Sequence, residues 1–207
     1  MARWTYLVAS KTYVDEEGTP LSQDTLHAVR DSYLGEMDAL LDAYADNLAS
    51  GDWSINRFET EMRRRLKDAY VAEYVLGRGG ISQMSQADYG RLGGLLKAQY
   101  RHLRSYLDDL ESGKETKGTA GLRAKNFLGS ARQSFSRGRA KAFDIDLPYH
   151  PGSGTPCHGN CKCSWDIEED DTEYRAYWKV SSSKPCAGCL ARGAESNPFV
   201  QTKVFAE

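Results

Sequence analysis

All five cysteines of this sequence, Cys157, Cys161, Cys163, Cys186 and Cys189, fall in its last quarter. They make two short turns, Cys157-His158-Gly159-Asn160-Cys161-Lys162-Cys163 and Cys186-Ala187-Gly188-Cys189, separated by residues 164–185. A tetrahedral metal needs four thiolate or imidazole ligands, and a short Cys-x2–4-Cys turn places two sulfurs on one side of such an ion. An odd number of cysteines in a chain without a secretory segment argues against a disulfide framework. The expectation is therefore a structural zinc ion held by Cys157, Cys161, Cys186 and Cys189. Cys163 is the alternate, because a Cys-x-Cys pair is tighter than the usual spacing, and His150 and His158 are substitutes. In a small module with little apolar mass, zinc ligation can supply stability that a core cannot, with apparent binding energies of about 10–16 kcal/mol.

Other chemistries compete for the same residues. The bland alternative is a set of free thiols. A redox role for Cys186-x-x-Cys189 requires a helix N-terminus after a strand, which Leu190-Ala191-Arg192 could begin, but it leaves three cysteines unused. Pro185-Cys186-Ala187-Gly188-Cys189 also matches half of the zinc deaminase signature. The other half, a His-x-Glu or Cys-x-Glu, is missing: His150 precedes Pro151-Gly152, His158 precedes Gly159-Asn160 and Cys163 precedes Ser164-Trp165. A hydrolytic zinc site would need an open position beside a carboxylate, for which Asp166, Glu168 and Glu169 are the nearby candidates. A Cys157–His150 nucleophile pair would compete with the metal for one thiol. No nucleophile elbow, phosphate-binding loop or His-Glu-x-x-His is present. The histidines at 27 and 102 lie inside helical patterns and read as surface or packing residues.

These residues must be positioned by elements that the periodicity exposes. From Ser22, Leu26, Val29, Tyr33, Met37, Leu40, Leu41 and Tyr44 recur at steps of three and four until Gly51. A second helix starts after Asp52 or Ser54 and runs through Phe58, Met62, Leu66, Tyr70 and Tyr74 to Gly77, with Arg63-Arg64-Arg65 outward. Ser85 or Asp88 opens a third, with Leu92, Leu95, Leu96, Leu103, Tyr106 and Leu110 on one face up to Ser112-Gly113. A polar, Gly-rich joint at 113–121 precedes a fourth, Leu122 to Phe143, where Phe127, Ala131 and Phe135 share a face with Gly138 and Ala142. Beyond Pro148 the period becomes two: Trp165 and Ile167, then Tyr174, Ala176, Trp178 and Val180, predict a hairpin between the cysteine turns.

The fourth helix carries Arg123, Lys125, Arg132, Arg137, Arg139 and Lys141 with no acid before Asp144. Such a run is commonly a solvated face, yet uncompensated it would present a positive field to phosphates or an acidic protein surface. These six are the candidate nucleic-acid or partner-binding residues. The whole chain of 207 residues has a formal net charge of -2, which identifies neither a nucleic-acid binder nor an acidic coat, so any electrostatic function is local. No run approaches the roughly 18 apolar residues of a membrane span, and Met1-Ala2-Arg3-Trp4-Thr5-Tyr6 lacks a secretory core, so synthesis and retention in the cytoplasm are expected. Twelve Tyr and four Trp supply burial and suit protein contact surfaces.

One stretch resembles a known family. Ser136-Arg137-Gly138-Arg139, Leu147-Pro148-Tyr149-His150-Pro151-Gly152-Ser153-Gly154-Thr155-Pro156-Cys157, Asn160-Cys161-Lys162-Cys163-Ser164-Trp165, and Tyr177-Trp178 ahead of Cys186-x-x-Cys189 are together similar to the C-terminal part of phage head morphogenesis proteins, the minor capsid proteins like the Mu F protein. The likeness covers about residues 120 to 200. It implies a non-enzymatic virion protein of the phage head that engages the portal or the major capsid protein during assembly, with viral DNA as an optional further contact. No membrane and no small-molecule substrate are expected. The residue patterns predict a mainly α fold: an N-terminal arm (1–20), a helical body (21–112), a basic helix (113–147) and a cysteine-rich, zinc-stapled β-hairpin module (148–207). The alternatives are a zinc-dependent enzyme, deaminase-like or hydrolytic, and a nucleic-acid-binding zinc module.

Overall fold

The computed structural model describes residues 5–7, 12–154, 156, 161–180, 185–195 and 197–203. Four long helices, α1 (Gln23–Ser50), α2 (Ile55–Arg78), α3 (Gln86–Glu111) and α4 (Ala120–Ala142), form the body. The starts of α1, α2 and α3 follow from side-chain capping. The Ser22 hydroxyl accepts from the Thr25 amide, Ser54 from Arg57 and Ser85 from Asp88, each satisfying a donor that the first helical turn leaves unpaired. Gly51 and Gly79 end α1 and α2 at φ 88° and 97°, a left-handed conformation that suits glycine. α2 therefore runs past Gly77, which has another task.

Where α2 and α4 cross, Gly77 and Gly138 bring the two backbones into contact. A Cβ added at Gly77 would lie 2.2 Å from the Phe135 carbonyl oxygen, and one at Gly138 would lie 2.4 Å from that of Tyr74. Only glycine permits this approach. Around the crossing, Leu41, Leu48, Phe58, Met62, Leu66, Tyr70, Tyr74, Leu103 and Leu107 are buried in one core with Ala124, Leu128 and Ala131 of α4. The fourth helix is thus an interior member of the body.

Two polar features are locked into this body. Arg30 of α1 donates to both carboxylate oxygens of Glu73 on α2, at 2.7–3.1 Å, and its guanidinium stacks 3.9 Å from the centre of the Phe135 ring. Burial would raise the Asp88 carboxyl, but hydrogen bonds from the Ser85 amide and hydroxyl, the Tyr74 hydroxyl and Arg78 outweigh it and hold the group well below the usual carboxylate range.

The segment expected as an N-terminal arm (1–20) contains strands among its described residues. Within the described residues, β1 (Thr5–Leu7), β2 (Thr12–Val14) and β3 (Pro20–Leu21) make an antiparallel sheet in that order. Tyr13 is buried against Leu26 and Phe135, and its hydroxyl donates to the Gly77 carbonyl at 3.0 Å. An aromatic ring with a satisfied polar tip outweighs the weak local pattern that made this segment read as an arm.

The C-terminal module contains the expected hairpin, β4 (Ser164–Glu169) paired with β5 (Glu173–Lys179), Trp165 opposite Trp178. It also contains two elements the periodicity did not yield. One is the helix α5 (Ala187–Glu195); the other is β6 (Phe199–Thr202), which pairs antiparallel with β5 and completes a sheet of order β4-β5-β6. Four residues are too few to show a period. No helix among the described residues is long and apolar enough to cross a membrane.

Candidate metal centre

The strand alternation of β4 begins before the strand itself. Cys161, Cys163, Trp165 and Ile167 are all buried, while Lys162 between the two cysteines is exposed. In extended chain, residues two apart face the same way, so the module's core face carries both sulfurs as well as the indole. From the other side, Cys186 lies just ahead of α5 and Cys189 in its first turn, where the Cys189 and Leu190 amides both donate to the Cys186 carbonyl.

The sulfurs of Cys161, Cys163 and Cys189 all lie within 4.8 Å of one another, close enough to hold a metal ion. Cys161 and Cys189 are 3.9 Å apart. That is far beyond the roughly 2.05 Å of a disulfide. It is close to the edge of about 3.8 Å that a tetrahedron with 2.3 Å zinc–sulfur bonds would have. The Cys186 sulfur, half-buried, interacts with that of Cys189. Burial, reinforced by the adjacent Cys186 and Cys163 sulfurs, pushes the Cys189 thiol far above its ordinary range. A divalent cation bound at this point would supply the missing counter-charge, because thiolates are the ligating form.

An aromatic frame holds the two cysteine turns together. Tyr149, Trp165 and Trp178 pack mutually with ring centres 5.1–5.2 Å apart. Each polar tip is used: Trp178 Nε1 donates to the Cys189 carbonyl at 3.1 Å, Trp165 Nε1 to the Tyr149 carbonyl at 2.9 Å, and the Tyr149 hydroxyl to the Arg192 carbonyl at 2.9 Å. Arg192 lies over the Tyr149 ring and donates to the Ser153 carbonyl, tying α5 to the Gly152–Gly154 turn.

The sequence-derived ligands divide accordingly. Cys161 and Cys189 come together as expected, Cys186 stands beside them, and Cys163, expected only as the alternate, joins the cluster. Cys157 and His158 lie outside the described residues. His150 is elsewhere: its Nδ1 is 3.0 Å from the Ser136 hydroxyl, and burial, then the Arg137 and Lys141 charges, lower its pKa to about 3. The signal for Cys163 was present in the sequence, as the two-residue period Cys161-Cys163-Trp165-Ile167.

Among the described residues, no carboxylate or imidazole completes a metal-ligating group with these sulfurs. Asp166 pairs with Lys179 and Glu169 with Lys203. The redox reading finds its strand-then-helix context, but a reactive thiol at a helix N-terminus is lowered rather than raised.

The basic helix carries a different correction. The positive field expected from Arg123, Lys125, Arg132, Arg137, Arg139 and Lys141 is largely compensated by acids brought in from elsewhere in the chain. Arg123 pairs with Glu115 at 2.9 Å, Lys125 with Asp42 at 3.0 Å, Arg132 with Asp31 at 3.1 Å and Lys141 with Asp146 at 3.1 Å. Arg139 is 5% exposed and faces the interior. Arg137 makes no hydrogen bond or ion pair among the described residues, and its Nε is buried. No family model, curated protein or solved structure matches this chain.

Proposed function

We propose that the cysteine cluster binds one structural zinc ion through Cys161, Cys163, Cys186 and Cys189, and that the chain is a minor head protein of a phage. The observation that carries the metal reading is the composition of the cluster: sulfurs alone, three of them buried, without a carboxylate or imidazole among the described residues. Closed all-thiolate shells are structural, whereas catalytic zinc keeps an open position and a nearby proton shuttle. The ion would bridge the start of β4 to the start of α5 and fix the module's two halves.

The assembly role rests on the resemblance of residues 120–200 to head morphogenesis proteins, and its expected partners are the portal or major capsid protein. A catalytic role finds no support in the cluster, and the compensated basic helix argues against a broad nucleic-acid surface. Elemental mass spectrometry of the purified chain tests the metal: one zinc per chain, retained in Cys157→Ser and lost in Cys163→Ser, is expected. Retention in Cys163→Ser with loss in Cys157→Ser would replace the ligand set. Co-purification with a phage portal protein tests the assembly role, and absence from purified heads would overturn it.

A further inference from the structure

On the side of α4 where Arg137 projects, a cavity of about 400 Å³ opens between α3, α4 and the 145–150 segment. Arg91, Arg137, Lys141 and His150 line it together with one acid, Asp146, and Leu95 and Ile145 are among its apolar walls. The charges there are unequal in their commitments. Arg91 is held by Asp88 at 3.0 Å, and Lys141 meets Asp146, a carboxylate 86% exposed. Arg137 is partly buried, has no partner among the described residues, and hides its Nε from solvent. The His150 ring engages Ser136 through Nδ1 and makes no other hydrogen bond among the described residues.

Proteins rarely bury a cation without pairing it, because the lost hydration is not recovered. A guanidinium left without a carboxylate in a cavity lined by further cations is instead suited to a ligand's oxygens, which its planar fork engages two at a time. We propose that this cavity binds a phosphoryl oxyanion, as free phosphate or as a phosphomonoester, with Arg137 as the principal ligand and Lys141 and His150 as flanking donors. The Lys141 ammonium beside Arg137 adds a second positive charge, which favours a doubly charged phosphoryl group over a singly charged carboxylate. Apolar walls beside the charged end leave room for the ester's organic part. The site does not depend on the cysteine cluster.

The test uses the full chain at neutral pH and constant ionic strength, with calorimetry and thermal unfolding in phosphate, phenyl phosphate, benzoate and chloride. Phosphate or phenyl phosphate is expected to bind and to raise the unfolding temperature beyond chloride. Tighter binding of phenyl phosphate identifies an ester as the ligand, and equal binding identifies the free ion. Arg137→Met is expected to lose at least tenfold in phosphate affinity while its unfolding temperature without phosphate stays at or above that of the wild type. Should that variant not fold, Lys141→Met and His150→Asn give the same readout at the cavity wall. Absence of phosphate binding to the wild type, benzoate binding tighter than phosphate, or unchanged affinity in these variants overturns the proposal.

Discussion

At the Gly77–Gly138 crossing, the helical body is held by backbone contact and a broad apolar core, whereas around Cys189 the module packs thiols against three aromatic rings. The body buries long side chains from all four helices. The module has a three-stranded sheet and one short helix, and several of its buried positions are cysteines. A core of that size needs reinforcement to hold one conformation. The contrast teaches that the same chain uses close packing where it has many residues to pack and gathers thiols able to hold a metal where it has few.

The strongest way to break this contrast is to remove the proposed zinc. A chelator, or Cys189→Ser, is expected to unfold residues 148–203 while the helical signal of α1–α4 persists, since structural zinc contributes about 10–16 kcal/mol in small modules. Near-ultraviolet circular dichroism of Trp165 and Trp178 reads the module, and far-ultraviolet signal reads the body. Simultaneous loss of both would show one cooperative unit instead of two.

Within the body, Glu73→Leu should cost about 3–5 kcal/mol in denaturant unfolding, because it strands the Arg30 charge. Combining it with Arg30→Met should recover most of that loss, as a well-packed apolar pair often matches a buried ion pair. A double variant as unstable as the single one would show that Arg30 matters through its stacking on Phe135. Gly138→Ala ranks next, at roughly 3 kcal/mol, since the new methyl meets the Tyr74 carbonyl and the helices must separate. The same change at Gly35, which has open space around it, should be neutral or stabilising.

The smallest effect links the two regions through His150. Its folded pKa of about 3 lies below the ordinary 6.5, so the unfolded chain takes up a proton first as pH falls. Stability from this group is complete above about pH 6.5 and declines from there towards pH 3, by up to about 1.4 kcal/mol per pH unit. In His150→Asn, which retains a polar partner for Ser136, urea midpoints measured from pH 7 to pH 5 should flatten. An unchanged slope would assign the decline to other groups.

Several features are legible in the amino-acid sequence itself. Ser22, Ser54 and Ser85 announce helix starts because capping acts within three residues, and the three-to-four spacing of Leu26, Leu41, Phe58, Met62, Leu66 and Leu103 marks the faces that become the core. The period of Trp165, Ile167, Ala176 and Trp178 marks the hairpin for the same local reason. Paired cysteine turns point to a metal centre because ligand spacing is a local constraint too. Gly77 reads as a helix stop, since sequence alone cannot reveal that Phe135 of another helix occupies the space above it.

What the sequence by itself determined is therefore the set of helices, their caps, the hairpin and the concentration of thiols at one end. Only the tertiary structure decided that Cys163 joins Cys161 and Cys189, that Tyr13 anchors the N-terminal strands on Gly77, and that Asp31 and Asp42 of α1 pair with Arg132 and Lys125 of α4. It also decided that Arg137 has no carboxylate partner among the described residues. Local rules reach three or four residues along the chain, whereas charge pairing, burial and metal geometry depend on which distant residues packing brings together.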